Sequence, residues 1–220
     1  MISACLFDLD GVLVDTAKYH YLAWKRLANQ LGFFFSEADN ERLKGVSRMD
    51  SLQILLEVGG LTHFSSNEKW AMANRKNGWY VEFISRMTPK EILPGALDFL
   101  HQVKEAGLKI ALGSASKNST TILQRVGITS LFDAIIDGNK ITHAKPHPQV
   151  FLIGAEELHV PPSQCLVFED AAAGIEAAIA AGIKCVGVGN PSILCRANLV
   201  IPGFQNLTWE SLQRELQKLS

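Results

Sequence analysis

No apolar run in this sequence approaches the ~18 uninterrupted residues that a membrane-spanning helix needs, so no transmembrane segment is expected. The first residues reach Asp8 without a basic stretch or a long apolar segment, which argues against a secretory signal and makes the cytoplasm the expected location. Net charge is nearly absent as well: 21 Lys and Arg face 22 Asp and Glu, for a formal charge of -1. A chain so balanced has no general attraction for nucleic acid or an anionic membrane, so phosphate must be bound by a local site. Cysteine is scarce. Cys5, Cys165, Cys185 and Cys195 form no Cys-x-x-Cys pair, and the first three lie in or beside apolar runs, as buried small hydrophobes do. His63, His101, His143, His147 and His159 are scattered without zinc-ligand spacing. Internal repeats and low-complexity tracts are absent too. With 47% hydrophobic and 20% charged residues, the composition is that of a folded globular protein.

What is present is a rhythm. Strand-length apolar runs recur at 3–9, 109–115, 133–138, 164–170, 184–189 and 197–202. Most do not alternate, the pattern of strands covered on both faces of a parallel sheet. Helical patterns lie between them at 95–106, 117–126, 148–158 and 171–181, and Gly107, Gly127 and Gly182 sit just past three of these, where helices end. Alternating strands and helices predict a doubly wound α/β domain with a parallel sheet. Residues 17 to about 88 break the rhythm with one helical pattern after another and no strand, and "TPKEILPG" (88–95) reads as a return linker. The expected organisation is a core of 1–15 and 93–220 with a helical domain, 16–92, inserted after the first strand and hinged near 14–17 and 85–93.

In open parallel sheets, ligands bind beyond the carboxyl ends of the strands. Here those ends carry Asp8 and Asp10, then Ser114 and Ser116, then Lys145 beyond the third strand, then Glu169 and Asp170. Crowded carboxylates are costly unless a cation intervenes. The inventory suits phosphoryl transfer through an aspartyl phosphate: a carboxylate nucleophile, further acidic groups to hold Mg²⁺, a hydroxyl and a lysine for the phosphate oxygens, and a second Asp as acid and base. Taken singly, these features have plainer meanings. Glu169-Asp170 also suits a helix start, and Ser114 or Ser116 a helix cap.

"DLDGV", the strand ending in Ser114, Lys145-Pro146 and "EDAAAG" resemble, in order, the four signature motifs of the haloacid dehalogenase superfamily. The resemblance implies a Rossmann-like core with a C1-type cap. It makes Asp8 the nucleophile, Asp10 the general acid and base, and Ser114 and Lys145 the phosphate ligands. Asp8, the Asp10 carbonyl, Glu169 and Asp170 become the Mg²⁺ site. "DTAKYHYLAW", "LKGVSRMDSL", "RKN" and "SASKN" further resemble the β-phosphoglucomutase branch. That likeness implies interconversion of β-glucose 1-phosphate and glucose 6-phosphate, with β-glucose 1,6-bisphosphate as intermediate and activator. It assigns Thr16 and His20 to catalysis, and Trp24, Lys44, Gly45, Val46, Arg48, Ser51, Lys76, Ser116, Lys117 and Asn118 to the sugar phosphate.

Arg48 and Lys117 suit a phosphate gripped far from Asp8, as a mutase requires. Thr16, His20 and Trp24 recur at helical spacing from the hinge, so His20 and Lys76 are placed to report closure to Asp10. Met49 and His147 depart from the branch's usual residues. The expected protein is a monomer acting on small sugar phosphates, with no nucleic-acid or membrane partner. The alternative is a sugar-phosphate phosphatase on the same scaffold, which shares Asp8 and Asp10. A non-catalytic sugar-phosphate sensor is a third possibility, against which the intact carboxylate set argues.

Overall fold

The computed structural model describes residues 2–43 and 46–218. Strand β1 (Ala4–Phe7) is followed by four helices, α1 (Ala17–Gln30), α2 (Glu37–Glu41), α3 (Arg48–Val58) and α4 (Ser66–Ile84). The chain then continues through α5 (Ala96–Glu105), β2 (Lys109–Gly113), α6 (Ser119–Val126), β3 (Ala134–Ile136), α7 (Gln149–Glu157), β4 (Cys165–Glu169), α8 (Ala172–Ala180), β5 (Lys184–Val188), β6 (Leu199–Ile201) and α9 (Trp209–Lys218).

The six strands among the described residues are all parallel and lie in the order β3-β2-β1-β4-β5-β6. Because β1 sits between β2 and β4, the winding reverses beside it, and the ends of β1 and β4 flank the crevice where ligands bind in such sheets. Register puts Phe7 opposite both Leu112 and Phe168. The unbroken hydrophobicity of the strands is explained by two cores. Cys5, Phe7, Ile110, Leu112, Leu166 and Phe168 face one, and Ala4, Leu6, Ala111, Cys165 and Val167 face the other. On the first face Phe7 stacks on Phe168 at 4.6 Å between ring centroids, and Phe99 of α5 meets Phe168 edge-on at 5.4 Å. Phe151 of α7 and Ile175 of α8 fill the second.

Among the described residues, no strand lies between β1 and β2. Helices α2, α3 and α4 start where the sequence supplies caps, whereas α1 starts after Thr16 without a side-chain cap bond. Ser36, Ser47 and Ser65 accept from the amides of Asp39, Asp50 and Glu68, and Asp39 and Glu68 close capping boxes. Each such cap contributes about 1 kcal/mol. α1 packs on α4, burying Trp24 and Leu27, while Arg26 lies 4.3 Å over the Trp79 ring. The two passages joining insert and sheet run side by side. Val14 pairs with Ile92 in an antiparallel bridge, Asp15 N–H donates to Glu91 O and Leu93 N–H donates to Leu13 O, both at 2.9 Å. Helix α9 is the element the sequence pattern left unassigned. Its Trp209, Leu212 and Leu216 are buried against the first core.

Candidate active site

β1 runs straight into Asp8, whose N–H donates to Phe168 O at 3.0 Å. The next turn is made by Gly11, with φ at +84°; a Cβ there would lie 2.1 Å from Asp170 Oδ2. Only glycine lets the β1 loop and the β4 end close to that distance. Gly174, on the first turn of α8, plays the same part for Glu169, since a Cβ would meet its Oε2 at 2.0 Å. The last residue of "EDAAAG" thus makes room for the first. Ser114 follows β2, and its hydroxyl accepts from Ser116 N–H at 3.1 Å.

Lys145, whose peptide bond to Pro146 is cis, is buried at the centre of this cluster. Its ammonium donates to Asp8 Oδ1 and, at 2.8 Å, to Glu169 Oε2. Burial alone would depress this lysine, but the charges of Asp8 and Glu169 and their hydrogen bonds outweigh burial and hold it above the usual range. Glu169 is pushed up to about 7 by burial, against the pull of Lys145 and with the Asp8 charge adding to the rise. One ammonium therefore does not offset the acidic charge here. Asp8, Glu169 and Asp170 each bring a carboxylate oxygen within 4.8 Å of the others. Such a set of hard oxygen donors with surplus negative charge fits Mg²⁺. The Asp10 carboxylate is turned elsewhere and accepts from the Thr16 hydroxyl. Burial, then the Asp8 charge, raise it to about 7, where a carboxyl both holds and releases a proton near neutral pH.

A cavity of about 310 Å³ opens over these groups. From the sheet side Asp8, Asp10, Ser114 and Asp170 line it, together with Ser116, Lys117 and Asn118 of the loop after β2. The helical insert adds His20, Trp24, Val46, Arg48, Ser51 and Lys76. Thr16, Lys145 and Glu169 are buried and do not belong to the lining; the Thr16 hydroxyl is bonded to Asp10, and the Lys145 ammonium to Asp8 and Glu169. Lys44 and Gly45 lie outside the described residues.

Lys76 Nζ is 2.9 Å from His20 Nδ1 and lies over the rings of Trp24, at 4.5 Å, and Tyr80, at 4.9 Å. Burial and the Arg48 charge lower Lys76 to about 7, while burial, Lys76 and Arg48 hold His20 well below its ordinary value. The pair therefore shares one proton around neutrality, with Lys76 the donor when charged.

Several lining residues had no sequence signal of their own. Asn77, whose Oδ1 accepts from Asn118 Nδ2 at 3.2 Å, stands inside the quoted "RKN" beside Lys76. Gly138 seats the loop after β2, since a Cβ there would lie 2.3 Å from Ala115 O. Asn40 and Trp70 reach the cavity from positions that no motif covers.

A family model for haloacid dehalogenase-like hydrolases matches residues 2–182. Over 218 residues the chain is 43% identical to a beta-phosphoglucomutase of Bacillus subtilis, covering 99% of this chain and 96% of the relative. It is 31% identical to a phosphorylated carbohydrates phosphatase of Thermotoga maritima, with 83% of each covered. A crystal structure of beta-phosphoglucomutase from Clostridium difficile superimposes with a TM-score of 0.94 at 46% identity, covering 99% of this chain and 98% of that one. With the motif carboxylates gathered at the strand ends and the model spanning the sheet, the chain belongs to the haloacid dehalogenase-like hydrolase family.

Proposed function

We propose that this chain is a β-phosphoglucomutase, interconverting β-D-glucose 1-phosphate and D-glucose 6-phosphate. The observation that carries this reading is that a single cavity is lined both by Asp8 and Asp10 and by Arg48, Lys117 and Asn118. A molecule with a phosphate at each end needs both sets, and likeness to two beta-phosphoglucomutases over nearly the whole chain supports the same conclusion.

In this reading an Asp8 carboxylate oxygen carries the phosphoryl group. A sugar hydroxyl attacks that phosphorus while Asp10 takes the hydroxyl proton, the bond to Asp8 breaks, and the bisphosphate forms. The bisphosphate turns over, Asp8 attacks the other phosphorus, and Asp10 returns its proton to the departing sugar oxygen. β-Glucose 1,6-bisphosphate is thus both intermediate and primer. Ser114 and Lys145 bind phosphate oxygens. Mg²⁺ held by Asp8, the Asp10 carbonyl, Glu169 and Asp170 would neutralise charge that builds on those oxygens.

Residues 16–92 serve as the cap and 1–15 with 93–220 as the core, the cap turning on 14–17 and 85–93. The paired passages at Val14 and Ile92 support a hinge there. Thr16 holds Asp10 to one side until the sugar enters, and His20 with Lys76 senses that entry, because a phospho-Asp8 open to water would be lost to hydrolysis. Trp24, Val46 and Ser51 enclose the sugar, and Lys44 and Gly45 are assigned to it on the family likeness alone. The protein acts as a monomer in the cytoplasm.

The test supplies β-glucose 1-phosphate, Mg²⁺ and a trace of bisphosphate, following glucose 6-phosphate and inorganic phosphate together. Fast isomerisation with little free phosphate is expected, and Asp8→Asn abolishes it. Stoichiometric phosphate release without isomerisation would instead make the chain a sugar-phosphate phosphatase.

A further inference from the structure

We infer that Asn40 is a further substrate-binding residue, one that accepts a hydrogen bond from a hydroxyl of the sugar rather than from either phosphate. The inference rests on the mutase reading for its substrate and on the structure for its chemistry. Asn40 stands in α2, its backbone fixed by its N–H donating to Ser36 O at 3.2 Å and by the capping box of Ser36 and Asp39. Its side chain lines the same cavity as Asp8 and Arg48. The residue is only 7% exposed, and its Oδ1 is buried with no hydrogen-bond partner. Folded proteins rarely leave a buried amide oxygen unmatched, and a carboxamide on a cavity wall is matched by the cavity's occupant once its oxygen turns into the cavity.

The chemistry of the atom selects the part of the occupant that it meets. Arg48 and Lys76 are pure donors and suit phosphate oxygens. A carboxamide oxygen is a pure acceptor, is repelled by a phosphate, and is satisfied by a hydroxyl. Of the other side chains that this stretch brings to the cavity, Leu43, Val46 and Met49 offer a hydroxyl no good acceptor, Arg48 only donates, and the Ser47 hydroxyl already accepts from Asp50 N–H. Asn40 therefore reads the uncharged middle of the substrate, which a mutase must hold while its charged ends exchange places.

The experiment compares the full-length protein with Asn40→Leu and Asn40→Ala. It measures the unfolding midpoint and kcat/KM for β-glucose 1-phosphate and its 2-, 3- and 4-deoxy analogues. Leucine keeps the volume and removes the unmatched oxygen, so Asn40→Leu is expected to unfold at the same or a higher temperature. Its kcat/KM for the parent sugar should fall about three- to tenfold, with an equal fall on two of the analogues and none on the third, which already lacks the hydroxyl. A uniform fall on all four sugars, an unchanged kcat/KM, a clearly lowered midpoint or failure of Asn40→Leu to fold would each overturn the inference. Should the wild-type protein release phosphate without isomerising, the mutase reading fails separately. The dependence on one hydroxyl is then read from phosphate release.

Discussion

With two carboxylates hydrogen-bonded to one buried ammonium, Lys145 carries the electrostatic balance of the site. Replacing it by methionine leaves Asp8 and Glu169 facing each other without a counter-charge. Lys145→Met is expected to cost about 3–5 kcal/mol in urea unfolding without Mg²⁺, and to stop turnover. Lys76 is the opposite case, a buried ammonium faced by His20, Tyr80, Trp24 and the Arg48 charge, with Asp10 the attracting charge among the groups that shift it. Its value falls from 10.5 unfolded to about 7 folded, so between those limits the unfolded chain binds more protons and stability rises with pH. Below pH 7 the penalty is fully present. Lys76→Met should therefore stabilise the ligand-free protein by about 2–4 kcal/mol near pH 6, and the gain should fade as pH rises toward 10. Denaturant unfolding across that range checks it; a gain that does not change with pH would refute it. At this scale the sequence was legible where motifs name the residue, as at Asp8 or Glu169. Lys76 was reached only through family likeness. Asn40 and Asn77 were not reached, because amide side chains carry no spacing signal and their placement depends on how α2 and α4 pack.

Helix α8 begins two residues beyond Asp170 and packs its first turn onto the Glu169 carboxylate. Gly174→Ala inserts a methyl where that carboxylate sits. A tenfold or greater loss of Mg²⁺ affinity is expected, with the sheet intact, as titration calorimetry beside far-UV circular dichroism will show. Helix α5 contributes Phe99, which is fully buried among Phe7, Phe168, Phe204 and Trp209. Phe99→Ala should cost about 3–5 kcal/mol in urea unfolding, because a ring is lost from a core that cannot collapse around a rigid sheet. Strands and their helices were readable because unbroken apolar runs of five or so residues have few other uses. α9 escaped because three apolar positions, Trp209, Leu212 and Leu216, in an otherwise polar segment also suit an exposed tail. Only packing against α5 decides between them.

Across the whole molecule the site draws on β1, β2, β4 and the loops after β2 and β3, so anything bound there links segments far apart in the chain. Mg²⁺ should raise the unfolding midpoint, by the equivalent of about 2.7 kcal/mol at a hundredfold excess over its Kd. Asp170→Ala should remove the rise, and an undiminished rise in that variant would place the ion elsewhere. The doubly wound class was legible because strand-length apolar runs alternate with helical patterns along the core. The centrality of β1 was not, since strand order depends on which crossovers pack rather than on any local pattern. That centrality has a consequence during synthesis. The strand that leads into Asp8 leaves the ribosome before the other strands of its sheet, yet its second neighbour exists only once residue 169 has been polymerised. Lys145 follows Asp8 by 137 residues. A growing chain thus exposes the carboxylate proposed as its nucleophile early and acquires Glu169 and Asp170 late, so a chain stalled before β4 is expected to be inert toward phosphate esters.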